Sequence, residues 1–159
     1  MKKLLSLSYL AVVLVLVLPS EDMKKDSRTT GEAPPSNAMM SADPAKAVFD
    51  LSGLAPRVLA YSSEAAAQAI AGRNRVVYFF AASWCPTCRE TYRDIKANAK
   101  NIPGDLTIVV VDYDKAPELK TKYGVTYQHT FVSLGPKGEK LKVWSGSTKV
   151  GDIDKNAVR

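Results

Sequence analysis

Apolar and polar positions divide the chain into three kinds of stretch: one long apolar run, one polar segment, and a region where short apolar blocks alternate with amphipathic ones. In the alternating region, Val58–Ala60 predicts a first strand. Ser62-Ser63 ahead of the alanine-rich Glu64–Ala71, with Gly72 behind it, predicts a capped helix. Val76-Val77-Tyr78-Phe79-Phe80-Ala81 has no polar interruption and predicts a strand covered on both faces. Tyr92, Ile95, Ala99 and Ile102 then recur at steps of three and four, with Arg89, Glu90, Arg93, Asp94 and Lys96 mostly between them. That spacing predicts a helix running to the Pro103-Gly104 break. Leu106–Val111 reads as a second covered strand ended by Asp112-Tyr113-Asp114, and Pro117 opens a helix reaching Tyr123-Gly124. Thr130–Leu134 and Lys140–Trp144 flank the turn-rich Gly135–Glu139 and predict a hairpin. Val150, Ile153 and Val158 suggest a short closing helix. The order implies an α/β domain over 47–159, with a mixed sheet and helices on both faces.

The long apolar run is Leu4 to Leu18, broken by Ser6 and Ser8 and preceded by Lys2-Lys3. Fifteen helical residues span roughly 22 Å, short of the roughly 30 Å hydrocarbon core. Residues 1–20 are therefore expected to be a signal peptide or an N-terminal anchor. The choice between cleavage and a membrane tether through 4–18 is open, because no strong cleavage site follows. Residues 21–46 are polar, carry Pro34-Pro35 and Pro44, and show no period; they read as a flexible linker. The expectation is an exported protein, in the periplasm or at the extracytoplasmic face of a membrane.

Composition narrows this picture further. The chain has 159 residues, 46% hydrophobic and 24% charged, which suits one soluble domain plus a tail. Its 22 basic and 16 acidic residues give a net charge of +6. The basic residues are dispersed, with no long like-charge run and no base-stacking motif, so no nucleic-acid partner is expected. Two cysteines and one histidine exclude disulfide-dense frameworks and multi-histidine metal centres.

Candidate chemistry gathers at Trp84-Cys85-Pro86-Thr87-Cys88, where the first covered strand hands over to a helix. Two cysteines three apart can close a small ring. Cys85 falls at the helix N-terminus, where unpaired amides and the macrodipole favour an anion, by about 1 kcal/mol when partly exposed. Thr87 and Cys88 amides are further donors, and Pro86 costs little in a first turn. A closed structural disulfide is the rival reading, although so short a ring stabilises weakly. A four-cysteine zinc site lacks its second pair. A redox-active pair is the favoured reading.

The run VVYFFAASWCPTC, Val76–Cys88, resembles the central strand and active site of the thioredoxin family. Val111-Asp112-Tyr113-Asp114, Tyr123-Gly124-Val125 and the hairpin follow in the family's order, so the resemblance covers about residues 56–157. It implies a thioredoxin fold and an exported thiol–disulfide oxidoreductase acting on protein or small-molecule thiols and disulfides, recycled by an unidentified redox partner. Cys85 would attack and Cys88 would resolve. Trp84, Pro86 and Thr87, with Gln128, His129 and Thr130 facing them, would support the pair.

Three positions depart from the family pattern. Phe79 stands where the family has a buried acid serving the resolving cysteine, which should raise the Cys88 pKa. Val110 replaces a lysine. His129 occupies the position of the family's cis-proline, and without proline a trans bond is expected. As imidazolium, His129 would lower the Cys85 pKa; as neutral imidazole it could shuttle a proton. With Cys85 and Cys88 it could also supply three ligands to zinc or an iron–sulfur centre, a non-enzymatic alternative. The enzymatic expectation needs no cofactor.

Overall fold

The computed structural model describes residues 47–159. The expected signal or anchor at 1–20 and nearly all of the expected linker, up to residue 46, lie outside the described residues.

The covered apolar blocks become the centre of a five-stranded sheet. Strand β1 (Val58–Ala60), β2 (Arg75–Ala81), β3 (Leu106–Asp112), β4 (Thr130–Leu134) and β5 (Lys140–Ser145) run in the order β1-β3-β2-β4-β5. β1 and β2 pair parallel with β3, while β4 is antiparallel to both β2 and β5. Between them lie helices α1 (Glu64–Ala71), α2 (Pro86–Ala97) and α3 (Pro117–Tyr123), and α4 (Val150–Asn156) closes the chain.

Strand alternation sorts the core into two layers. Val77, Phe79 and Ala81 of β2 face a cluster that takes in Cys88 and Ile95 of α2 and Val150 and Ile153 of α4. Val76, Tyr78 and Phe80 face the other way, against Ala67 and Ala71 of α1 and Leu119 and Tyr123 of α3. Both faces of β2 are thus sealed, which is why its sequence shows no polar alternation.

Local signals explain most boundaries. The Ser63 hydroxyl accepts the Ala66 N–H at 3.2 Å and starts α1. α3 stops at Gly124, whose φ of 70° is cheap only for glycine. Two expectations need correction. α2 ends at Ala97, well short of Pro103, because the Asn98 side chain bonds the Asp94 carbonyl and a 3-10 turn, Ala99–Asn101, follows. Val158 lies beyond α4 and is 38% exposed, so the closing helix buries only Val150 and Ile153.

Candidate active site

The site is built where β2 runs out. Ala82, Ser83 and Trp84 turn the chain, and Cys85 becomes the N-cap of α2, with Pro86 in the first turn. A helix start leaves N–H groups without partners, and here a sulfur answers one of them. Cys85 Sγ accepts the Cys88 N–H at 3.3 Å and lies 3.1 Å from the Thr87 hydroxyl. Both cysteines are free thiols.

These surroundings split the two sulfurs electrostatically. Burial pushes the Cys85 thiol up, but hydrogen bonds from the Cys88 and Thr87 side chains and N–H groups outweigh it, holding the thiol below its ordinary 9.0. Cys88 is pushed up to about 12, first by burial and then by its bond to Cys85. The N–H groups of Ala82 and His129 offset this only in part. The expected rise at Cys88 has a visible cause. Phe79, at the acid's position, is fully buried and stacks on Phe131 at 4.6 Å, and Phe131 in turn stacks on Trp144 at 5.4 Å. The cross-strand register aligns the three rings in a column across β2, β4 and β5.

Cys85 is less open than a helix terminus suggests. It is 1% exposed, although Trp84, Pro86 and Thr87 around it are exposed. Acting as the helix cap turns the sulfur inward, into the same apolar cluster as Phe79, Ala82 and Cys88. Trp84 is 55% exposed, and its indole N–H donates to Asp114 at 2.9 Å, which ties the active-site turn to the segment after β3.

His129 departs furthest from expectation. Among the described residues the one cis peptide is Ala55-Pro56, so the Gln128–His129 bond is trans. His129 carries a φ of 59°, the left-handed region that histidine tolerates better than most residues. Its ring bonds Thr91 rather than either cysteine. Nε2 lies 2.9 Å from Thr91 Oγ1, and the ring meets Phe79 and Phe131 edge-on at 5.9 and 5.4 Å. Burial lowers its pKa, and no bond from its ring reaches Cys85, so the imidazolium role is not what this geometry supplies. Among the described residues no group of three His, Cys, Asp or Glu side chains is placed to hold a metal ion, so Cys85, Cys88 and His129 do not converge as a ligand set. Gln128 is half-buried, and the Thr130 hydroxyl donates to the Tyr127 carbonyl at 2.9 Å.

Thr91, Ser147 and Asp114 join the site without having been anticipated. Thr91 falls on the buried face of α2 three residues after Cys88, a spacing that its polar identity disguised. Asp114 lies in the stretch that carries the family resemblance, but its bond to Trp84 is tertiary, as are the contacts of Ser147, and neither contact left a local signal. A cavity of about 480 Å³ lined by Tyr61, Asp112, Lys115 and Glu118 lies at the ends of β1 and β3, and neither cysteine lines it.

A sheet of this order, with a CxxC pair capping the helix after its central strand, defines the thioredoxin-fold class. The family model for thioredoxin matches residues 57–158, and the chain belongs to the thioredoxin family. Thioredoxin-1 of Drosophila melanogaster is 34% identical over 59 residues, covering 37% of this chain and 55% of that protein. Thioredoxin-1 of Drosophila yakuba is 31% identical over 72 residues, covering 45% and 66% respectively. The chain thus spans less than two thirds of the length of these relatives. The crystal structure of Trxlp from Edwardsiella tarda EIB202 superposes with a TM-score of 0.52 at 25% identity, over 64% of this chain and 99% of that one. The thioredoxin of Fasciola hepatica superposes with a TM-score of 0.51 at 29% identity, over 62% and 93%.

Proposed function

We propose that this chain is a thiol–disulfide oxidoreductase that exchanges disulfides with protein or small-molecule partners through Cys85 and Cys88. The observation that carries the reading is the Cys85 sulfur held at the helix cap by the Cys88 N–H and the Thr87 hydroxyl, with a second thiol beside it.

The Cys85 thiolate attacks one sulfur of a partner disulfide; a mixed disulfide forms and the partner's other sulfur departs as thiolate. Cys88 then gives up its proton, and its sulfur attacks Cys85 Sγ. The Cys85–Cys88 bond forms, and the partner's second sulfur leaves. Two electrons have passed from the pair to the partner. With Phe79 in place of an acid, no carboxylate is bonded to Cys88 among the described residues. The partner thiolate released in the first step, an ordinary base for a thiol, takes the Cys88 proton. Relief of the Cys85 negative charge in the mixed disulfide also lowers the cost of ionising Cys88. A separate redox partner reduces or reoxidises the pair for the next cycle, and no cofactor is needed.

Export belongs to the same proposal and rests on the sequence of residues 1–46. Residues 1–20 direct the chain out of the cytoplasm or tether it, and 21–46 carry the domain clear of the membrane. Cell fractionation with an alkaline-phosphatase fusion tests this, and a fusion that stays cytoplasmic and inactive would refute it.

Insulin reduction tests the exchange itself. The wild type is expected to turn over, Cys85→Ser to be inactive, and Cys88→Ser to accumulate a mixed disulfide. Equal rates for the three proteins would end the reading.

A further inference from the structure

We propose that His129 is a positioning residue for the cysteine pair: together its main chain and its ring clamp the two ends of the segment that carries Cys85 and Cys88. The proposal deepens the exchange reading and rests on it.

The clamp has two arms. The His129 N–H donates to the Phe80 carbonyl at 2.8 Å, on β2 just before the active-site turn. The ring reaches Thr91 of α2, just after it, with Nε2 2.9 Å from Oγ1. Everything between Phe80 and Thr91, both cysteines included, is bracketed by one residue. The Thr91 hydroxyl passes the constraint on: it lies 3.0 Å from the Thr87 carbonyl and 3.2 Å from the Ser147 carbonyl. Thr87 is the residue whose own hydroxyl touches Cys85 Sγ. A hydroxyl has one proton to give, and both carbonyls compete for it. The network is satisfied when imidazole Nε2–H donates to Thr91 and Thr91 donates to a carbonyl, which assigns the neutral Nε2–H tautomer.

The environment suits a neutral ring. Phe79 and Phe131 pack on it from β2 and β4, and the Ser147 carbonyl faces it from the loop before α4. Glu90 of α2 is the carboxylate that bears on it, and it forms no bond to the ring. The left-handed backbone at His129 is uncommon for a side chain with a Cβ, and the buried Thr91 bond offsets its cost. A ring serving only to fill space would not need the Thr91 bond.

The test reads thiolate formation at Cys85 by ultraviolet titration, together with urea unfolding, in Thr91→Val, Thr91→Ser, His129→Asn and the double variant Thr91→Val/His129→Asn. Thr91→Val deletes the hydroxyl at nearly constant volume, and Asn tolerates the left-handed backbone. We expect Thr91→Val and His129→Asn each to reduce the thiolate fraction at neutral pH by about threefold to tenfold. The double variant should be no worse than the poorer single one, because both cut the same link. Thr91→Ser should restore the wild-type titration. Unchanged titration in Thr91→Val, with only lower stability, would overturn the proposal, as would additive effects. Should His129→Asn fail to fold, the Thr91→Val and Thr91→Ser comparison decides alone. The titration needs no turnover, so a protein inert towards insulin would sink the exchange reading without deciding this one.

Discussion

The Asp94 carboxylate of α2 accepts the N–H of Val150, the first residue of α4, at 2.8 Å. α4 has no side-chain cap of its own, since Lys149 occupies that place, so a neighbouring helix supplies the missing acceptor. Asp94→Ala is expected to cost about 1 kcal/mol, and Asp94→Asn, which keeps an acceptor oxygen, much less. Urea denaturation of the two variants checks the difference.

Phe79 is the middle of a packing argument as well as the place of a missing acid. Phe79→Ala removes a fully buried ring that stacks on Phe131 and should cost about 3–5 kcal/mol. Phe79→Leu keeps most of the volume and should cost about 1 kcal/mol, chiefly the lost aromatic pairing. A Phe79→Leu variant with the unfolding midpoint of the wild type would show that the stacked column contributes no more than area.

Cys85 is ionised more easily than Cys88, so iodoacetamide at neutral pH should label Cys85 first. Thr87→Val removes one donor to the sulfur, and the rate of labelling at neutral pH should fall about threefold to tenfold through the smaller thiolate fraction. Because Val also changes local packing, the rate is to be followed across pH: an unchanged inflection would mean that the hydroxyl does not stabilise the anion.

His129 gives stability a pH dependence. Burial places its folded pKa below the ordinary 6.5, so in acid the unfolded chain binds a proton that the fold resists. Its contribution is complete above pH about 6.5, declines as pH falls below that value, and levels off once pH passes the folded pKa. Unfolding measured from about pH 7.5 down to about pH 5 should show this decline, and His129→Asn should flatten it.

The sequence made some of these features legible and hid others for physical reasons. β2 was readable because a strand sealed on both faces needs apolar residues at every position, and Val76–Ala81 supplies them. The CxxC pair was readable because its spacing and its strand–helix junction are local. The early end of α2 was hidden because Asn98 bonds back to Asp94, a choice that competes evenly with continuing the helix. Thr91 was hidden because it is buried as a hydrogen-bonding junction, and a polar residue on an apolar stripe reads as a surface residue. The position of His129 was marked by the family pattern, but the direction of its ring was not; that is decided by Thr91, 38 residues earlier in the chain.

The inward turn of Cys85, with 1% of the residue exposed, also bears on how long the protein lasts as a reagent. Peroxide drives accessible thiolates through sulfenic to sulfinic and sulfonic acids, and the last steps destroy a nucleophile for good. A sulfur turned into an apolar cluster meets peroxide more slowly than an exposed thiolate does. Mass spectrometry after graded peroxide exposure should find Cys85 surviving in the folded protein at doses that over-oxidise it in urea.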